Sequence, residues 1–280
     1  MKTATISLLI IDPQNDFCDI PERERPMLEN GARLNPALPV SGADRDMKRL
    51  AAFIARAGDR LREIHVTLDS HNPVDIAHPS WWRDADGAAP APFTVISAAA
   101  VRAGTWRASD PARQARSLAY VESLERNGRY ALVIWPEHCL IGHWGHNLHS
   151  ALAEALDTWA RKRLDTVDFV MKGMNPHTEH YSAVRAEVPD PTDPATLTNE
   201  TLIAKLATAD TILIAGEALS HCVANTVRDI ADSLGTENVG KMVLLSDCTS
   251  PVGGFERLGE DFVREMTARG MRVASSTDQM

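Results

Sequence analysis

Four short aliphatic runs constrain this chain more than any other feature: ISLLIID (6–12), EIHVTLD (63–69), TILIAGE (211–217) and KMVLLSD (241–247). Each is dense in Ile, Val and Leu and stops at a polar residue or a turn. Strands of a parallel sheet read this way, because helices cover the sheet on both faces. A weaker fifth run, DTVDFVMKG (165–173), ends in the same manner. Helical patterns lie between them, over 44–61, 147–163, 198–208, 221–234 and 255–269. This alternation predicts an α/β chain with a three-layer, doubly wound, mainly parallel sheet and helices on both faces. Ligands in such sheets bind beyond the carboxyl ends of the strands. Asp12, Asp69, Lys172 and the segment GEALSHC (216–222) are all expected there.

The remaining sequence fits one domain over 1–280 with two additions. Residues 20–43, rich in Pro, Gly and charge, read as a long loop. Residues 79–130 hold Trp81, Trp82 and Trp106, many alanines and no clear period, and read as an insertion at the rim of the site or at a subunit contact. Loops this long in a compact domain are usually functional or poorly ordered. The three tryptophans would suit the contact surface of a homo-oligomer. A formal charge of −9 argues against a nucleic-acid partner. No apolar run reaches the roughly 20 residues that span a bilayer, which argues against a membrane partner. The opening MKTATISLLIIDPQNDF reads as a first strand, not a signal peptide. Cys18, Cys139, Cys222 and Cys248 have no CxxC spacing, so a reduced, cytoplasmic setting is expected.

Three residues carry chemistry in combination. Cys222 lies where a strand gives way to a helix, and a thiol at a helix start meets the positive end of the dipole, which favours thiolate. Backbone N–H groups there lack helical partners and can hold an oxyanion. A free cysteine is more often a small buried hydrophobe. Asp12 could equally cap a turn, and Lys172 could be a solvated lysine. Together they supply the nucleophile, base and cation that amide hydrolysis by a thiol needs. Cys18 and Cys248 are expected to pack, and Cys139 to be positioned through its neighbour His138.

The set IIDPQNDFC, DSH (69–71), WPEHC (135–139), MKG (171–173) and GEALSHCV (216–223) resembles the nicotinamidase branch of the isochorismatase-like cysteine hydrolases. The likeness covers most of the chain outside 20–43 and 79–130. It implies a catalytic triad of Asp12, Lys172 and Cys222 and a cis bond at Glu217–Ala218. It also implies an oxyanion hole from the Ala218 and Cys222 N–H groups. Phe17 and Trp135 match residues that sandwich the substrate ring, and Tyr181 matches another pocket residue. Core packing is the ordinary role of such aromatics.

Asp69 and His71 alternate along an extended strand end and so share a face. With His138 from WPEHC they form a carboxylate and two imidazoles, a donor set for a divalent metal: zinc first, with manganese or iron as alternatives. In the family such a metal binds the substrate's ring nitrogen. His78 matches a fourth histidine that only some members use. His143, His146 and His149 match no motif and read as solvated or as marking a helix start, while His177 and His180 follow the lysine without an assigned role.

The leading expectation is hydrolysis of nicotinamide, or a close aromatic carboxamide, to the acid and ammonia through a cysteine thioester. The loops at 20–43 and 79–130 leave room for another N-heteroaromatic or a small linear amide, with or without metal assistance. A vinyl-ether-cleaving enzyme of the isochorismatase branch would not need the cysteine. A catalytically silent binding or scaffold member would be expected to lack part of the triad, and a redox thiol protein to carry a resolving cysteine.

Overall fold

The strands form where the aliphatic runs lie. In the computed structural model, which describes residues 4–278, β1 (Ile6–Ile11) is buried from Ser7 onward. It is followed by α1 (Ala43–Ala57) and β2 (Leu61–Asp69). The insertion then contributes α2 (Ala98–Arg102) and α3 (Gln114–Asn127). The chain continues through α4 (Ser150–Arg163), β3 (Asp168–Lys172), α5 (Glu200–Ala207) and β4 (Thr211–Gly216). It closes with α6 (Ala224–Leu234), β5 (Met242–Leu245), α7 (Glu256–Ala268) and β6 (Arg272–Ala274).

These six strands make one parallel sheet in the order β6-β5-β4-β1-β2-β3. The chain builds outward from β1 through β2 to β3, returns to β4 on the other side of β1, and continues to β5 and β6. The direction of winding thus reverses between β1 and β4, the kind of crevice where open α/β sheets bind ligands. Register aligns the strand ends: Ile11 pairs with Gly216 and Asp69 with Lys172. Gly216 has φ +111°, and a Cβ there would lie 2.0 Å from the Ile11 carbonyl oxygen, so the close approach of β1 and β4 requires glycine. Helices cover both faces in a three-layer arrangement. On one, α1 buries Met47, Leu50, Phe53, Ile54 and Ala57 at helical spacing and meets α4, whose Trp159 Nε1 donates to the Gly58 carbonyl at 3.0 Å. Elsewhere α6 packs against α5 and α7. Among the described residues no helix is long and apolar enough to cross a membrane.

Several expectations need correction. β6 carried no aliphatic signal, because it is a three-residue edge strand with Arg272 and Val273 exposed. The insertion shows no clear period in sequence, yet α3 buries Ser117, Tyr120, Val121 and Leu124 at helical spacing. Only two of those four side chains are aliphatic, so the stripe did not stand out. Trp81 and Trp82 offer no contact surface: they are 2 % and 0 % exposed. Trp82 Nε1 donates to the Ile76 carbonyl at 2.8 Å and Trp81 Nε1 to Ser117 Oγ at 3.0 Å, while half-buried Trp106 packs against the core. Trp81 and Trp82 tie the start of the insertion to α3 and to the loop that precedes it. The 20–43 loop is irregular apart from a turn at Glu22–Glu24, and it is tied down: the Asp19 carboxylate accepts from the Gly42 and Asp44 N–H groups, and Asp16 accepts from Ala37 N–H.

Candidate active site

Strand ends deliver the reactive groups to the crevice between β1 and β4 and its neighbour at β2 and β3. Asp12 follows β1 directly, with a left-handed φ of 44°. Its backbone N–H donates to Thr67 Oγ1 at 3.1 Å, and the same hydroxyl donates to Asp12 Oδ1 at 2.5 Å. Asp12 Oδ2 lies 2.9 Å from Lys172 Nζ at the end of β3. That ammonium, 2 % exposed, also donates to Asp69 Oδ1 at 3.0 Å, to the His180 carbonyl at 2.9 Å and to Cys222 Sγ at 3.6 Å. One lysine therefore joins both carboxylates and the thiol. His180 Nδ1 accepts from Gly173 N–H at 3.0 Å, which fixes the segment supplying that carbonyl.

Cys222 lies in a π-helical turn, Leu219–Val223, ahead of α6. The Ala218 carbonyl accepts from His221 and Val223 N–H groups, skipping the Cys222 N–H between them, and the Glu217–Ala218 peptide is cis. A helix start favours a thiolate, and at Cys222 burial overrules it. Burial pushes the Cys222 thiol well above its ordinary range; Lys172 pulls down, while Asp12 and Asp69 push up further. Burial likewise raises Asp12, against the pull of Lys172. Burial opposes charge on Lys172, yet Asp12 and Asp69 carry its pKa well above normal. The resting site is thus a neutral thiol beside an ion-paired carboxylate whose proton affinity is raised.

Asp69 Oδ2 faces away from the lysine, 3.1 Å from His71 Nε2 and 3.3 Å from His138 Nε2. Ligand atoms of His71, His78 and His138 all lie within 4.8 Å of one another. Outer partners set two of the rings: His71 Nδ1 faces Asp75 Oδ2 at 3.2 Å, and His138 Nδ1 faces the Pro136 carbonyl at 2.8 Å. Their Nε2 atoms are left directed at the shared space. His78 is fully buried and neither ring nitrogen has a hydrogen bond of good geometry, the Asn72 backbone giving only a weak contact. Burial, reinforced by His138 and His71, pushes its pKa down to about 2, so it is a neutral imidazole with a free lone pair. A buried orphan imidazole beside two oriented imidazoles and a carboxylate fits a divalent metal. His138 reaches its place because His71 N–H donates to the Cys139 carbonyl at 3.1 Å and Cys139 N–H donates to Asp16 Oδ2 at 2.7 Å.

A cavity with about 350 Å³ of empty space, its mouth included, opens on Cys222 and Ala218. Phe17, Trp135 and Tyr181 line it, with Trp135 Nε1 donating to Tyr181 Oη at 3.0 Å. The structure thus gathers every residue singled out for the triad, the oxyanion hole, the metal and the ring pocket. It adds others that sequence reasoning passed over. Gln14 clasps Asp69, donating to its carbonyl at 2.8 Å and accepting from its N–H at 2.7 Å. Thr67 holds Asp12, and Asp75 holds His71. Leu38, Glu179, His221 and Val252 complete the cavity wall. Gln14 lay within the quoted DPQNDF motif and Asp75 four residues beyond DSH; Thr67 and Leu38 carried no signal. Of the histidine run, buried His149 lies at the start of α4 beside Asp44, His146 contacts Ser70 Oγ at 2.9 Å instead of being solvated, and His143 is exposed. Cys18 and Cys248 are packed in the core.

No protein-family model and no curated protein sequence matches this chain. Solved structures do. A nicotinamidase/pyrazinamidase of Acinetobacter baumannii superposes with a TM-score of 0.62 at 20% identity, covering 100% of both chains. Yeast nicotinamidase Pnc1p bound to the inhibitor nicotinaldehyde gives 0.63 at 19% identity, over 97% of this chain and 100% of that one. Pyrazinamidase of Pyrococcus horikoshii in complex with zinc gives 0.53 at 17%, over 96% and 98%. At such identities it is the fold that is shared: this chain has the isochorismatase-like, nicotinamidase-type α/β fold.

Proposed function

We propose that the protein is a cysteine amidohydrolase that converts nicotinamide, or a closely related aromatic carboxamide, to the carboxylic acid and ammonia. The observation that carries this reading is Lys172 Nζ, 2.9 Å from the Asp12 carboxylate and 3.6 Å from Cys222 Sγ, beneath an aromatic-walled cavity. The relatives in fold are nicotinamidases and pyrazinamidases, which supports the same chemistry.

Asp12 takes the Sγ proton as Cys222 attacks the carboxamide carbon, which avoids a free thiolate in a site that disfavours one. A raised carboxylate pKa brings the base closer to the thiol it must deprotonate. Ala218 and Cys222 N–H groups receive the developing oxyanion. Asp12 then gives its proton to the departing ammonia, leaving an acyl thioester. A water, deprotonated by Asp12, adds to the thioester; the acid leaves and the thiol regains its proton. Lys172 stays protonated throughout and offsets the repulsion between Asp12 and Asp69. Phe17 and Trp135 orient the ring. Asp69, His71, His138 and His78 would hold a divalent metal, with zinc preferred over manganese or iron, which supplies a Lewis-acid contact for a ring nitrogen. The same reading takes the protein as a cytoplasmic homo-oligomer without nucleic-acid or membrane partners, which light scattering and fractionation would check.

A second reading, another N-heteroaromatic amide, is favoured by Glu179. It lines the cavity, and its Oε2 has no hydrogen-bond partner. A substrate with an additional N–H or O–H donor would satisfy that oxygen.

The deciding experiment is ammonia release from nicotinamide by wild type and Cys222→Ala, with metal content measured on the same preparations. Turnover lost in the variant, with about one metal per chain in both, supports the proposal. A metal-loaded wild type that leaves nicotinamide intact would refute nicotinamide as substrate and direct the assay to donor-bearing heteroaromatic amides.

A further inference from the structure

The loop that presents Ala218 and Cys222 is tied to β1, with Glu217 N–H donating to the Ile11 carbonyl at 2.7 Å, and to the segment 248–252. Gly216 N–H donates to the Cys248 carbonyl at 2.9 Å, and Leu219 N–H donates to the Ser250 carbonyl at 2.9 Å. Val252 N–H donates to Ser220 Oγ at 3.0 Å. The fourth tie to that segment runs through a side chain: Ser250 N–H donates to Glu217 Oε2 at 3.0 Å. Ser250 Oγ in turn donates to Asp46 Oδ2 at 2.5 Å. Glu217 is 0 % exposed, and its other oxygen, Oε1, has no well-formed hydrogen bond. The group that faces it is a second carboxyl, Asp46, with Asp19 farther off. Arg49 pairs with Asp46, Asp44 is engaged by Lys48 and His149, and among the described residues no cation forms an ion pair with Glu217.

A buried carboxylate without a cation, beside a second carboxylate, is not sustainable as an anion; it holds a proton instead. Burial and then Asp46 push the Glu217 carboxyl well above its usual range. Carrying a proton, Glu217 can donate toward Asp46 while still accepting from Ser250 N–H.

We propose that Glu217 is a positioning residue for the amidase reaction: as a neutral acid linking Asp46 and Ser250, it fixes the 217–222 loop that aims the Ala218 N–H and the Cys222 thiol at the substrate. It touches neither substrate nor reacting atoms. The inference rests on the amidase reading above, so its test includes a readout that needs no substrate.

Glu217→Gln keeps the shape, the acceptor and a donor of the neutral acid, whereas Glu217→Ala removes all three. Each is compared with wild type for steady-state nicotinamide hydrolysis and for hydrogen exchange of the 216–223 and 248–253 backbone. Glu217→Gln is expected to keep kcat within about threefold and wild-type exchange. Glu217→Ala is expected to lose about a hundredfold in kcat, the scale of a displaced oxyanion donor, with KM within about threefold and faster exchange confined to those two segments. Loss in Glu217→Gln equal to that in Glu217→Ala would show that the charge is needed and overturn the proposal. Wild-type exchange in both variants would overturn it as well. Should Glu217→Ala fail to fold, Asp46→Asn serves in its place: loosened exchange in the same segments supports the link, and wild-type exchange refutes it. A wild type silent on nicotinamide refutes the substrate reading alone, since exchange still decides the role of Glu217.

Discussion

Lys172→Met removes the one ammonium that separates two buried carboxylates, and the consequence follows from the distances. In the wild type, Nζ lies 2.9 Å from Asp12 and 3.0 Å from Asp69, and all three side chains are buried. Methionine fills similar space, so packing changes little and the loss is mainly electrostatic. Stranding a buried charge typically costs about 3–5 kcal/mol. At roughly 2–4 °C per kcal/mol for a domain of this size, Tm should fall by about 6–20 °C. The loss should depend on pH in a defined direction. Asp12 is already raised in the folded protein, and Lys172 is what pulls it down. Without that pull it rises further above its unfolded value. A carboxyl whose folded pKa is raised contributes stability that is present at low pH and lost as pH climbs through the folded pKa. The deficit of the variant should therefore grow as pH rises from the acid side through the raised Asp12 pKa, because Asp12 accepts a proton at the acid end. Urea unfolding of metal-free wild type and variant across that range measures it. A deficit under about 1 kcal/mol, or one flat with pH, would refute the assignment of Lys172 as the charge that holds the site together.

Asp12→Asn should abolish turnover yet speed alkylation of Cys222 by iodoacetamide at neutral pH, because Asp12 is one of the groups that raise the thiol pKa; peptide mass spectrometry reads the rate against wild type. His78→Ala should weaken metal binding by at least about tenfold in a chelator competition, while costing the metal-free protein little, since the ring nitrogens make no good hydrogen bond there. Gly216→Ala should unfold or strongly destabilise the chain, by more than the about 1–3 kcal/mol of ordinary overpacking, because the new Cβ would lie 2.0 Å from the Ile11 carbonyl oxygen at a φ of +111°. Soluble yield and thermal melting report it, and a wild-type melting curve would contradict the strand spacing described here.

The chain by itself determined the parallel sheet and most of its strand ends. Residues buried on both faces are mostly aliphatic: β5 obeys that rule throughout, β1 everywhere but Ser7, and β4 from Ile212 to Ala215. It also determined where chemistry collects, since Asp12, Lys172 and the 216–222 segment each close a strand. The family resemblance of the short motifs named Asp69, His71, His78 and His138, and Phe17, Trp135 and Tyr181, and the fold brings each set together. The edge strand β6 was hidden because an edge buries little and needs few aliphatic residues, and α3 because its buried stripe is half polar.

Tertiary structure alone decided the protonation of the site and the roles that depend on it. Cys222 is pushed toward the neutral thiol because burial, helped by two carboxylates, outweighs one lysine, a balance set by groups 50 to 210 positions apart in the chain. The lysine finds its second carboxylate because β2 and β3 pair in register at Asp69 and Lys172. Trp81 and Trp82 turn inward because Ile76 and Ser117 offer acceptors inside. Glu217 keeps a proton because it is buried and Asp46, from a helix far away in sequence, faces it, with no cation among the described residues paired to it. Charge depends on distance and on exclusion of water, and only the folded chain sets either one.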